Sequence, residues 1–182
     1  CYYRAAFDGT SGAAPVVAGA IACLEGYWQA SFGTNCPPWL ARRILRTTGT
    51  AQVTPPAGNI GPRPNLRAAF AADSDGDLMP DGWEYPRGLD ATNALDAALD
   101  PDGDGRTSGE EYAADTHPNQ SGSVLRIEAI TNLASGFRIT WQGGVLATQY
   151  LERCDAASPA APPWTVLFTN RPPTATSTNL TD

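Results

Sequence analysis

Three stretches of the chain carry different hydrophobic periods. Val16 to Leu24 is an unbroken run of apolar and small residues, preceded by the Asp8-Gly9 turn signal and by Pro15, which suits a first helical turn. It predicts a helix that begins near Ser11. Residues 73–115 set acidic clusters among a few isolated apolar positions, Trp83, Tyr85, Leu89, Leu95, Leu99 and Tyr112. Beyond Asn119 to Ser123, a polar stretch that reads as a linker, the period becomes two. Leu125–Ile130, Phe137–Gln142, Gln149–Cys154 and Trp164–Phe168 predict four short strands separated by Gly, Ser, Ala and Pro turns. They suggest a small β-sandwich, with too few strands to close two sheets and a final strand expected beyond the end.

Composition adds location to this division. The 182 residues carry a net charge of −7, yet residues 73–115 alone hold ten Asp and three Glu against two Arg, a local −11, and the remainder is net positive by 4. Such a patch repels phosphate and no basic stripe offsets it, so nucleic acid is excluded as the expected partner. All 12 basic residues are Arg, which reads as codon bias in the source genome. The chain opens on Cys1 in mid-pattern, with no initiator Met, signal peptide or transmembrane-length apolar run, and is expected to be an internal piece of a longer protein.

The acidic segment has a ligand schedule. DPDGDGRTSGEE, Asp100 to Glu111, places carboxylates at loop positions 1, 3, 5 and 12, on Asp100, Asp102, Asp104 and Glu111, with the Arg106 carbonyl at 7, the Ser108 hydroxyl at 9 and Gly105 at the sharp bend. Calcium takes six to eight oxygens, and the chain that wraps it must turn tightly at position 6. DSDGDLMPDGWE repeats the schedule with Asp73, Asp75, Asp77, Asp81 and Glu84, but puts Leu78 where glycine is expected, so the first loop is expected to bind less well. The alternative for either loop is a solvated acidic linker. Taken together, the two loops and the following EEY, Glu110 to Tyr112, resemble the thrombospondin type 3-like calcium segments of secreted bacterial proteins. His117 stands where that pattern has Asp. Asp96 and Asp115 are supplementary ligand candidates or plain loop acids. Dockerin loops are a weaker likeness, because they prefer Asp at the twelfth position.

Ser11 has a bland reading and a sharp one. At a helix N-terminus a Thr-Ser pair caps the helix, and the same unpaired N–H groups favour an oxyanion beside a nucleophilic serine. GTSGAAPVVAG, Gly9 to Gly19, resembles the nucleophile segment of subtilisin-like serine proteases. The resemblance implies Ser11 as nucleophile, a tight turn at Gly9, and close helix packing at Ala14 and Gly19. PPWLARRILRTTGTAQ, Pro37 to Gln52, resembles the next helix and loop of that family, and IGPRPNLRAAF, Ile60 to Phe70, its closing turn and short helix. The family carries Asp, then His, then Ser. The one histidine here, His117, follows the serine and reads as a loop residue, so the base, its carboxylate and the oxyanion asparagine are expected upstream.

The β stretch resembles fibronectin type III-like tail modules, and Trp141, Tyr150 and Trp164 are expected in its core rather than as a sugar platform. Cys23 and Cys36 are either one bridge of an exported protein or two thiols; Cys1 and Cys154 suggest no site.

The sequence therefore reads as multi-domain: residues 1–72 the C-terminal piece of an α/β subtilisin fold, 73–121 a calcium-loop spacer, and 122–182 a partial all-β sandwich-like module. The function this implies is peptide-bond hydrolysis through an acyl-enzyme on Ser11, in a secreted or cell-surface calcium-binding serine endopeptidase acting on polypeptide substrates. This chain alone is expected to be inactive. The alternative is a secreted calcium-binding surface or adhesion protein in which the protease-like segment is a scaffold and the β tail makes cell-surface or matrix contact.

Overall fold

A computed structural model describes residues 10–52, 61–134, 136–154, 164–174 and 177–181, of which Ser11 and 177–181 by backbone alone. The turn at Asp8-Gly9 and Cys1 lie outside the described residues. The chain divides into two compact units, residues 1–94 and 95–182. The division falls between the two acidic loops, where the sequence reading of a single spacer over 73–121 places no break.

In the first unit, helix α1 spans Thr10–Phe32. It starts early enough to put Pro15 in its second turn, where the missing N–H forfeits one helical hydrogen bond. Ala20, Leu24 and Trp28, four residues apart, form one buried stripe. Against it pack Leu40, Ala41, Ile44 and Leu45 of α2 (Pro38–Thr47) and Ala69 of α3 (Leu66–Ala69), with Cys36 and Ala72 completing the core. Tyr27 stacks on Phe70 at 4.6 Å between ring centres, and Trp28 meets the Phe32 ring edge-on at 5.7 Å. Asn65 caps α3 by accepting from the Ala68 N–H. Residues 13–19 of α1 are instead exposed, Val16 by 55% and Val17 by 42%, although this half of the helix is apolar all round.

The first acidic loop belongs to this unit. Arg43 of α2 donates to the Ser74 carbonyl at 3.2 Å. The loop ends in the short helix α4 (Asp81–Glu84), whose Gly82 lies so close to the Phe32 ring that a Cβ there would overlap it. Ala72 is accordingly buried rather than part of an exposed joint.

The second unit holds the second acidic loop, helix α5 (Ser108–Ala114) and five strands. β1 (Arg126–Leu133), β2 (Gly136–Gln142) and β5 (Ser177–Thr181) form one antiparallel sheet in the order β1-β2-β5. β3 (Gln149–Arg153) and β4 (Thr165–Asn170) form a second. Irregularities interrupt the register between Ile127 and Ala129 and between Leu151 and Glu152. The first four strands lie within a few residues of the alternating stretches that predict them; β5 falls in a Ser/Thr/Asn-rich stretch that has no such signal.

Trp141 is the buried centre of the β region. Its Nε1 donates to the Gln149 side chain at 3.0 Å, and its ring stands edge-on to Phe168. Tyr150 and Trp164 are 61% and 55% exposed, contrary to the expectation that all three aromatics are core. Period two explains Tyr150, because Gln149 and Leu151 turn inward on either side of it. Trp164 stands just before β4 begins.

Residues 119–123 form a built turn and not a loose linker. Gln120 N–H donates to the His117 carbonyl at 3.0 Å, Ser123 N–H to the Gln120 carbonyl at 2.7 Å, and His117 N–H to the Ser123 hydroxyl at 3.0 Å. Pro118 and Val124 on either side are buried. Among the described residues no helix is long and apolar enough to cross a membrane.

Candidate metal centre

The two acidic loops fold alike, hydrogen bond by hydrogen bond. Asp73 accepts from the N–H groups of Gly76 at 2.7 Å and Leu78 at 3.1 Å; Asp100 accepts from those of Gly103 at 2.8 Å and Gly105 at 2.9 Å. At position 5, Asp77 accepts from Met79 N–H at 2.8 Å and Asp104 from Arg106 N–H at 2.9 Å. Each loop closes by a bond from position 9 to the carbonyl just before position 1, Asp81 to Ala72 at 2.9 Å and Ser108 to Leu99 at 2.8 Å. Aspartate at positions 1, 3 and 5 dictates this wrapping, since a short carboxylate bonds backbone N–H groups a few residues ahead of it.

The backbone turns match as well. Gly76 and Gly103 have φ of 83° and 75°, and at the bend Leu78 has φ of 78° beside 92° for Gly105. Leu78 therefore takes the left-handed turn that its side chain disfavours, at a cost of about 1 kcal/mol. Its side chain is 81% exposed, so no packing offsets that strain.

In Asp73 and Asp100 both oxygens hold backbone N–H groups, whereas in Asp75, Asp102 and Asp104 one oxygen holds the backbone and the other is buried apart from it. Buried oxygens of Asp75, Asp102, Asp104 and Glu111 have no hydrogen-bond partner. Ligand oxygens of Asp73, Asp75 and Asp77 lie within 4.8 Å of one another, as do those of Asp100, Asp102 and Asp104. The twelfth positions close the pattern from below, Glu84 fully buried and Glu111 1% exposed. Burial, followed by the charges of Asp102 and Asp104, pushes the Glu111 carboxyl up to about 7. Burial and then Asp77 raise Asp75 in the same direction. Asp81 is raised by burial, although Ser74 donates to both its oxygens, at 2.6 Å from the N–H and 2.8 Å from the hydroxyl.

The second loop is the better supported. Thr107 caps α5 by accepting from Glu110 N–H at 3.3 Å, while the Glu110 carboxylate accepts from Thr107 N–H at 3.0 Å, a reciprocal pair that fixes the helix bearing Glu111. The Arg106 side chain points away to Glu110, 3.9 Å distant and half-exposed, and only its backbone carbonyl remains a candidate ligand. The Ser108 hydroxyl donates to the Leu99 carbonyl at 3.3 Å. Asp96 opens a 3-10 turn ahead of the loop, and the Asp115 carboxylate accepts from Leu146 N–H at 2.8 Å, which turns it toward the β region.

Two contributors are not legible as ligands in the sequence. Met79 occupies position 7 of the first loop and is 1% exposed, so its carbonyl corresponds to that of Arg106. Thr116 is buried, and its hydroxyl donates to Glu111 Oε1 at 3.3 Å. A set of oxygen atoms, mostly carboxylate, some of them buried and orphaned at the inner side of each loop, suits a hard cation that accepts many oxygen ligands.

The other candidates are placed separately. Ser11 is the second described residue of α1. His117 sits in the turn after α5, where its Nδ1 accepts from Asn119 N–H at 3.2 Å. Cys23 is exposed and Cys36 buried, and they are not joined. Burial, then Glu25 and Asp81, pushes the Cys36 thiol up to about 12, which leaves it unreactive. Comparison with protein-family models, with curated proteins and with solved structures finds no match to this chain.

Proposed function

We propose that this chain binds calcium in the loops 73–84 and 100–111, the second more tightly. The observation that carries the reading is Glu111: a carboxylate 1% exposed, with one oxygen unpartnered, held against Asp102 and Asp104. A buried carboxylate facing two further acids is unfavourable unless a cation neutralises it. Asp100, Asp102, Asp104, Glu111 and the Arg106 carbonyl would supply six oxygens if Glu111 binds through both, with Ser108 near the ninth position. In the first loop the corresponding groups are Asp73, Asp75, Asp77, Asp81, Glu84 and the Met79 carbonyl, and Ser74 competes for Asp81. Calcium would neutralise the carboxylates and so couple its binding to folding. Calorimetric titration of the chain with calcium tests this: heat of binding with a stronger and a weaker site is expected, and no heat at millimolar calcium would leave both loops as acidic turns.

On the motif around Ser11 we further propose that the chain is the C-terminal part of an exported subtilisin-like serine endopeptidase, with Ser11 attacking the scissile carbonyl of a polypeptide. A helix N-terminus at the serine, as the resemblance implies, would favour the negative charge that develops in that step. On this reading the base precedes the chain, since the family order puts His ahead of Ser, while the one histidine here, His117, follows it and accepts from Asn119 N–H in a turn. Alone, the chain should therefore not react at Ser11 with a fluorophosphonate, and stoichiometric labelling there would overturn this assignment. The exposed Tyr150 and Trp164 favour a second reading, in which the β region makes surface or matrix contacts and the protease-like segment is scaffold.

A further inference from the structure

Hydrogen bonds, joined at Asp115 and Gly144 by a close packing contact, lead from the second loop to the centre of the β region. At the start Thr116 donates its hydroxyl to both the carbonyl and the carboxylate of Glu111, at 3.4 and 3.3 Å. Its N–H donates to the same carbonyl at 2.9 Å, so one residue grips the ligand side chain and its backbone. Beside it Asp115 ends α5 in a left-handed conformation, φ 55°, and accepts from Leu146 N–H. Gly144 runs so close under the Asp115 backbone carbonyl that no Cβ fits between them. The Gly144 carbonyl accepts from Gln149 Nε2 at 3.0 Å and from the buried Thr174 hydroxyl at 2.5 Å. Gln149 in turn accepts from Trp141 Nε1 and from Asn170 Nδ2, at 3.0 and 3.1 Å.

We infer that Thr116 and Asp115, outside the twelve-residue loop, belong to the second metal site as positioning residues, and that through Gly144 and Gln149 the site's occupancy sets the order of the β region. This rests on the calcium reading of that loop. An ion held by Glu111 fixes the carboxylate that Thr116 grips, and with it the α5 terminus against which Gly144 packs. Without the ion the mutual repulsion of Glu111, Asp102 and Asp104 works against the same arrangement. Groups around a ligand that fix its orientation commonly change metal affinity by about 10–100-fold when removed.

Hydrogen exchange of the full chain, with calcium and with chelator, tests this at two places. Amides of 100–111 report the ion, and amides of 137–151 report its transmission. In the native chain calcium should slow exchange at both. Thr116→Val should weaken calcium binding at the second loop by about tenfold, and Thr116→Ser should restore it. Gly144→Ala should leave calcium-dependent protection at 100–111 while abolishing it at 137–151. Protection at 100–111 with 137–151 indifferent to calcium in the native chain would overturn the coupling and leave the calcium reading intact. Unchanged calcium affinity in Thr116→Val would remove Thr116 from the site, a result that stands even if Gly144→Ala does not fold. No effect of calcium at either place would instead fall on the calcium reading itself.

Discussion

Leu78 and Glu111 are the residues whose chemistry is most at odds with their surroundings, one in its backbone and one in its charge. Leu78→Gly removes no buried contact, because the side chain is 81% exposed, and relieves a left-handed turn at φ 78°. It should raise the stability of the first unit by up to about 1 kcal/mol, the strain released, as measured by chemical denaturation. Glu111→Gln removes a charge and one oxygen ligand and should weaken the second site by at least about tenfold in calorimetric titration. Proton competition follows from the Glu111 carboxyl standing at about 7 in the metal-free protein, against an ordinary value of 4.5. The calcium-free fold binds a proton there that the unfolded chain does not, so this group's contribution to its stability is lost as pH rises from about 4.5 through about 7. Calcium needs the carboxylate ionised, so affinity should fall by about tenfold per unit as pH drops below about 7. A flat affinity between pH about 8 and about 5.5 would mean that Glu111 is not a ligand.

Among the elements, the four-residue helix α4 and the long α1 meet at the Gly82–Phe32 contact. Gly82→Ala must push the Phe32 ring aside, and should lower the stability of the first unit by about 1–3 kcal/mol in chemical denaturation while leaving the second unit unchanged. The elements also show what the sequence made legible. Alternation located β1 to β4, although only β2 and β3 carry a buried residue and β1 is exposed along nearly its whole length. Loop spacing located both acidic turns, because each aspartate bonds a backbone group at a fixed distance ahead of it. β5 is written in polar residues without alternation, and its pairing with β2 depends on a partner far away in sequence. Thr116 was hidden for a related reason: a threonine just after a helix reads as an ordinary cap, and only its burial against Glu111 distinguishes it. Leu78 is expected to resist its turn, yet it takes it, with its N–H bonded to Asp73 and the next N–H to Asp77.

At the level of the whole molecule, the compact units assign one acidic loop to the helical part and the other to the β part. Composition drew the joints at residues 72 and 119–123, where packing and hydrogen bonds instead hold the chain. Limited proteolysis with calcium present should therefore cut first within residues 88–95, between the units, and not at Ala71-Ala72 or in the His117 to Ser123 turn. Early cleavage in that turn would show that its hydrogen bonds do not hold it in solution.

The crowding of carboxylates in the two loops also bears on when and where the chain matures. Calcium modules of extracellular proteins work at about 10⁻⁴–10⁻³ M, far above what cytosolic calcium buffers are tuned to. A chain of this kind without calcium would keep its acidic turns repelling one another. On the proposed reading, filling the loops at extracellular calcium levels would set those turns, so that the ion's concentration, and not the chain alone, decides when the fold is finished.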